Sequence, residues 1–195
     1  MLRITILFIF GFNLVSVAWA APEDRGRRGS YIGLSAGASL GTALDDAGAS
    51  AGSNTGQAFQ LRFGEEVFDG FTLGLSVVGG SAEGNQGLYS SFHGGLLMDF
   101  SWQIHETVPA LLVGGTGLGV GRLTESNAQG FSGSVAGGIH MVGVQYDLRW
   151  RQKSGSQFTA SPFAKGYFLP ATGDAKASMV VWSIGVETAW FFGRN

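Results

Sequence analysis

The chain has 195 residues, enough for one domain of ordinary size, and its formal charge of -2 argues neither for nor against nucleic acid and gives no basic patch, so no nucleic-acid partner is expected. Cysteine is absent, which excludes thiol catalysis, disulfide staples and a lipid-modified N-terminal cysteine. Glycine is abundant at 33 residues with only 4 prolines, charged residues make up 13%, and the mean hydropathy is +0.19. Beyond the N-terminus no run approaches the ~20 apolar residues of a membrane helix, so the hydrophobicity is dispersed, as a membrane barrel disperses it.

The N-terminus opens with Arg3, continues in a mostly apolar run over 4–20 broken only by Gly11, Asn13 and Ser16, and ends in Ala18-Trp19-Ala20. A positive start, an apolar core and a small-x-small site describe a cleavable signal peptide over 1–20. Residues 21–29 then form a short charged lead-in.

Eight segments of alternating polarity follow. The first, over 30–41, sets Ile32, Leu34, Ala36, Ala38 and Leu40 against Tyr31, Gly33, Ser35, Gly37 and Ser39. Residues 43–56, rich in Ala, Gly, Ser, Asn and Asp, are expected as a loop. The second strand is expected over 57–63, with Phe59, Leu61 and Phe63 opposed to Gln60 and Arg62, and a turn over 64–70. The third, over 71–81, opposes Phe71, Leu73, Leu75 and Val77 to Thr72, Gly74 and Ser76. The fourth, over 89–102, opposes Phe92, Leu96, Met98, Phe100 and Trp102 to Ser91, His93, Gly95, Leu97, Asp99 and Ser101. The fifth, over 109–122, opposes Leu112, Thr116, Leu118 and Val120 to four glycines between Gly115 and Gly121. The sixth, over 133–150, alternates Val142, Val144, Tyr146, Leu148 and Trp150 with Gly143, Gln145, Asp147 and Arg149, and an ambiguous phase before Met141 predicts a bulge. The seventh, over 157–169, contains Pro162, which cannot donate to a ladder. The eighth, over 178–192, opposes Trp182, Ile184, Val186, Trp190 and Phe192 to Ser183, Gly185 and Glu187.

The segments run for roughly the ~9–11 residues a tilted strand needs to cross a bilayer, the second being the shortest, and strands can cross only as a closed barrel, because every backbone polar group needs a partner within the protein. The predicted fold is all-β: a single eight-stranded antiparallel up-and-down transmembrane β-barrel over 30–195, after a cleaved signal peptide. With the N-terminus placed in the periplasm, Phe63, Phe71, Trp102, Trp150, Phe158 and Trp190 gather near periplasmic strand ends, as one aromatic girdle. Alternation alone leaves a soluble, lipocalin-type barrel as the competitor, its apolar set inside. The small, Gly-rich character of one face and the bulk of the other favour the membrane barrel, whose narrow lumen has room for small residues.

Residues 31–39, YIGLSAGAS, resemble the first strand of small outer-membrane β-barrel proteins of the OmpA/OmpX type, and residues 185–192, GVETAWFF, resemble their closing strand. The chain departs from that pattern in running on through Gly193-Arg194-Asn195 and in carrying Thr188 where a bulkier residue is common. The resemblance implies an integral location in the bacterial outer membrane, contact with outer-membrane lipid and lipopolysaccharide, and insertion assisted by the barrel-assembly machinery and periplasmic chaperones. It implies no single activity, since one fold serves many functions.

The inward set is expected to include Arg62, Asp99, Asp147, Arg149, Lys165 and Glu187. Charges in a narrow lumen must be paired or carry a large desolvation cost, so a salt-bridge network filling the barrel is the expectation. A strongly selective pore would show a ring of one sign, which is absent. His93, His105 and His140 are the only histidines, and a hydrolytic triad with a serine and an acid would have to assemble across strands. The glycines of 114–121 lack the Lys-Ser/Thr ending of a phosphate loop, and Asp45-Asp46 reads as a solvated loop rather than a metal site. No catalytic residue, metal site or cofactor is expected. The leading function is a structural or interaction role with a side-chain-filled lumen and short surface loops. A narrow channel for ions or small solutes comes second, and a lipid-modifying enzyme third.

Overall fold

A computed structural model describes residues 29–45, 50–83, 89–105, 107–125, 133–151, 156–171 and 177–192. The expected signal peptide, most of the lead-in, Asp46 and residues 193–195 lie outside the described residues. The strands are β1 (Ser30–Asp45), β2 (Ser50–Phe68), β3 (Phe71–Glu83), β4 (Tyr89–His105), β5 (Val108–Glu125), β6 (Gly133–Tyr146), β7 (Leu148–Arg151), β8 (Gln157–Leu169) and β9 (Ala177–Phe192). Every pairing is antiparallel, β1 pairs with β9, and β8 pairs with both β6 and β7. The partners of β6 and β7 on β8 follow one register, from Gln145↔Phe163 to Leu148↔Ala160, so β6 and β7 are two halves of one stave. The ring is therefore closed with eight staves and no free edge.

The period-2 alternation decides which side chains face out. Leu118 is 76% exposed, Ile184 65% and Met98 64%, while Arg62, Lys165 and Glu187 are each 1% exposed. An apolar wall around a charged interior is the arrangement of a barrel in hydrocarbon, and it overturns the lipocalin-type alternative. The outer wall also explains several glycines. Phe59 lies over Gly79, Phe100 over Gly114 and Trp182 over Gly166, each an aromatic ring laid on its cross-strand partner. Inside, glycines clear space for bulk. A β-carbon on Gly64 would stand 2.7 Å from the Tyr31 ring, and one on Gly80 would stand 2.6 Å from the His93 ring.

The staves run longer than a bilayer crossing requires, and this corrects several expected boundaries. The loop expected over 43–56 is mostly ladder: Leu40 pairs with Thr55, Thr42 with Ser53, and Leu44 with Ser50. Small polar residues there form a hairpin because each strand supplies the other's backbone partners, whatever the side chains prefer. The turn expected over 64–70 shrinks to Asp69 and Gly70, and Gly70 takes the φ of +77° that a tight turn asks of glycine. β4 reaches His105, β5 reaches Glu125 and β3 reaches Glu83, each past its expected end. The bulge expected near Met141 is absent, since β5 and β6 keep one register from Leu123↔Gly133 to Ala110↔Tyr146. The stave breaks instead at Asp147. Asp147 donates its N–H to the Pro109 carbonyl at 2.8 Å, and Pro109 has no N–H to return.

Candidate functional site: the lumen network

The six charged residues singled out in the sequence meet in the middle of the barrel. Arg62 on β2 grips Asp99 on β4 with both ends of its fork, Nε to Oδ2 at 3.1 Å and Nη2 to Oδ1 at 2.9 Å, and its Nη1 donates to Glu187 Oε1 on β9 at 3.0 Å. Glu187 is shared. Its Oε2 accepts from Lys165 Nζ on β8 at 3.0 Å, and its Oε1 also accepts from Gln145 Nε2 on β6 at 3.2 Å. Lys165 completes its shell on Gln60 Oε1 at 2.7 Å and lies 4.4 Å above the Phe163 ring centroid. Gln145 reaches on to Asp147 Oδ1 at 3.4 Å, which accepts from Ser161 Oγ at 2.8 Å. Arg149 closes the chain, 3.5 Å from Asp147 Oδ2 and donating to Gln103 Oε1 at 3.0 Å. Three cations and three anions thus share one network across the lumen, in a medium where an unpaired charge is costly.

The backbone dictates this convergence. Inward positions recur every second residue, and the pairings Gly74↔Asp99, Arg62↔Ser76, Ser161↔Glu187 and Lys165↔Ser183 bring charges from separate staves to neighbouring levels. Gly74 and Gly143 leave room for the long chains: a β-carbon on Gly143 would meet Lys165 Cγ at 2.9 Å, and one on Gly74 would meet Asp99 Oδ1 at 3.2 Å.

Two parts of the interior were missed. Glu66, expected in a turn, is 2% exposed and accepts from the Gly70 N–H at 3.0 Å. The inward phase Gln60, Arg62, Gly64, Glu66 would have found it, had the strand been carried further. The second is an apolar layer toward the loop end, made of Val78, Leu97, Val135, Ile139, Met141, Tyr167, Leu169, Met179 and Val181. In this half polarity no longer separates inside from outside: Ile139 and Met141 point in while His140 points out. That inversion is why the phase before Met141 read as ambiguous. Toward the turn end Tyr31 and Phe191, with ring centroids 5.1 Å apart, form a third layer with Ala189.

The aromatic set lies on the outer wall at the turn end. Register carries it around the barrel, through Trp150↔Phe158, Phe158↔Trp190, Trp190↔Ile32 and Ile32↔Phe63, with Phe71↔Trp102 further round. Trp150 and Phe158 are in ring contact at 6.0 Å, and Phe71 stacks with Phe100 at 6.1 Å. The histidines lie apart. His93 is buried in the loopward layer, 5.7 Å from the Tyr167 ring; His140 shares a hydrogen bond with Thr116 on the outer wall at 3.0 Å; His105 contacts Thr107 at the turn end. Among the described residues no group of three His, Cys, Asp or Glu could hold a metal ion, and the Asp45-Asp46 pair lies outside the described side chains.

The sequence matches no family model and no curated protein. Solved structures do match. Ail, the attachment invasion locus protein of Yersinia pestis, superposes with a TM-score of 0.55 at 15% identity, over 83% of this chain and 99% of Ail. Its complex with the heparin analogue sucrose octasulfate gives 0.54 at 14% identity, over 83% and 99%. Neisserial surface protein A gives 0.50 at 12% identity, over 84% of this chain and 97% of that protein. At such identities the likeness is one of fold, and the fold of this chain is that of the small eight-stranded outer-membrane β-barrels.

Proposed function

We propose that this chain is an integral outer-membrane barrel with a structural or interaction role, its lumen closed by its own side chains and conducting nothing. The observation that carries this reading is the Arg62–Asp99–Glu187–Lys165 network, seated between an apolar layer on the loop side and the Tyr31–Phe191 layer on the turn side. Cations and anions balance within it, and each long side chain is held at two or more points, so the path along the axis is filled. Lipid and lipopolysaccharide contact the apolar wall, and Trp102, Trp150 and Trp190 sit at its periplasmic interface. Insertion draws on the barrel-assembly machinery and periplasmic chaperones. A partner would be met at the loop end, to which the long β1–β2 hairpin extends. Ail, an attachment protein by name and solved with a heparin analogue, supports an interaction role for a barrel of this fold.

Recordings from planar bilayers test the reading. The protein reconstituted alone is expected to give no unitary current, and Arg62→Ala or Glu187→Ala is expected to leave it silent or unstable. A reproducible wild-type conductance that shifts with Arg62→Ala would replace this reading with the narrow channel. Mass spectrometry of lipid A and phospholipid incubated with the protein is expected to show no change. A modified product lost in His93→Ala or His140→Ala would establish the enzyme instead.

A further inference from the structure

A barrel wall in hydrocarbon is held by its ladders, and a backbone group left unbonded there costs several kcal/mol. One stave of this barrel is short of ladder donors because of what its neighbours carry. On the β5 side Asp147 faces Pro109, which accepts its N–H but has none to give back. On the β8 side the register set by Gln145↔Phe163 and Leu148↔Ala160 puts Tyr146 opposite Pro162 and Asp147 opposite Ser161, and the ladder skips both positions. Two of the chain's 4 prolines therefore flank the same two residues, from opposite sides. One side-chain bond spans the gap, Ser161 Oγ donating to Asp147 Oδ1 at 2.8 Å, while Gln145 Nε2 at 3.4 Å and Arg149 at 3.5 Å hold the same carboxylate from its own stave. Through Gln145 this bridge joins Glu187, the shared acid of the lumen network.

We propose that the wall of this barrel opens at the seam between β6/β7 and β8, and that the Asp147 carboxylate is the latch that holds it shut from inside. The other ladders of these staves are continuous. β8 stays on β9 through Pro162↔Val186, and β6 stays on β5 down to Ala110↔Tyr146, so the seam can part without unfolding the ring. Tyr146 and Pro162 are exposed on the outer wall, and opening between them connects the lumen to the surrounding membrane. This device is independent of whether the lumen conducts along its axis.

Amide hydrogen exchange on the protein reconstituted in lipid bilayers tests the seam. The amides of Tyr146, Leu148 and Ala160, which face the seam, are expected to exchange about tenfold faster than those of Gly185 and Glu187, which face β8 from β9. Asp147→Ala is expected to raise the seam amides by about a further tenfold while leaving β2 and β3 unchanged. Pro162→Val supplies an N–H opposite Tyr146 and a residue suited to a strand, and is expected to slow the seam amides by a similar factor. Seam amides as protected as Gly185 and Glu187, no effect of Pro162→Val, or a uniform rise across all staves in Asp147→Ala would each overturn the proposal. Should Asp147→Ala fail to fold, the wild-type profile and Pro162→Val still decide it.

Discussion

Replacing Arg62 with methionine removes the cation that holds both Asp99 and Glu187. Arg62 makes three charge-assisted hydrogen bonds, at 3.1, 2.9 and 3.0 Å, to groups that are almost fully buried. At about 1.5–3 kcal/mol for each such bond the naive sum is roughly 5–9 kcal/mol. That sum is too large, because Glu187 keeps Lys165 and Gln145 and bonds sharing one group do not add. The uncompensated loss falls on Asp99, both of whose oxygens face the guanidinium, and stranding one partner of a buried pair costs about 3–5 kcal/mol. Arg62→Met is therefore expected to lose about 4 kcal/mol. Arg62→Met combined with Asp99→Leu is expected to recover most of it, since a buried pair exchanged for apolar groups is close to neutral. Reversible urea unfolding in lipid vesicles, followed through the fluorescence of Trp102, Trp150, Trp182 and Trp190, measures both. A loss under about 1 kcal/mol, the value of a solvated pair, would show that water fills the lumen around Arg62 and refute the packed interior.

Gly64→Ala drives a β-carbon to 2.7 Å from the Tyr31 ring, with the β3 backbone close on the other side, and is expected to cost about 1–3 kcal/mol in the same assay. Leu118→Arg places a charge on the most exposed large apolar position of the wall and is expected to cost about 2–4 kcal/mol if that position lies near the bilayer midplane. Depth-dependent quenching by spin-labelled lipids is expected to place Trp102 and Trp190 at the interface; either of them near the bilayer centre would contradict the girdle.

Much of this molecule was legible because a barrel wall is periodic. Polarity alternating every second residue marked the staves, and Arg62, Asp99, Asp147, Arg149, Lys165 and Glu187 could be placed inward from phase alone. What alternation could not supply was strand length. Residues 43–56 carry loop composition, yet their described residues on either side of 46–49 mostly pair as ladder, since a strand past the bilayer is set by its partner's backbone. Nor could it anticipate the apolar filling around Ile139 and Met141, where the inward face is as hydrophobic as the outward one.

The sequence by itself determined the closed all-β architecture, the number of staves and the face on which each charge lies, because those follow from local period and from the need to bond every backbone group. Only the tertiary structure decided which charges meet. Arg62 and Glu187 are 125 residues apart and become neighbours through ring closure and register. The same is true of the break at Asp147. Pro109 opens the expected fifth strand and Pro162 interrupts the seventh, and only when β5 and β8 close on the stave between them do both fall against the same two residues.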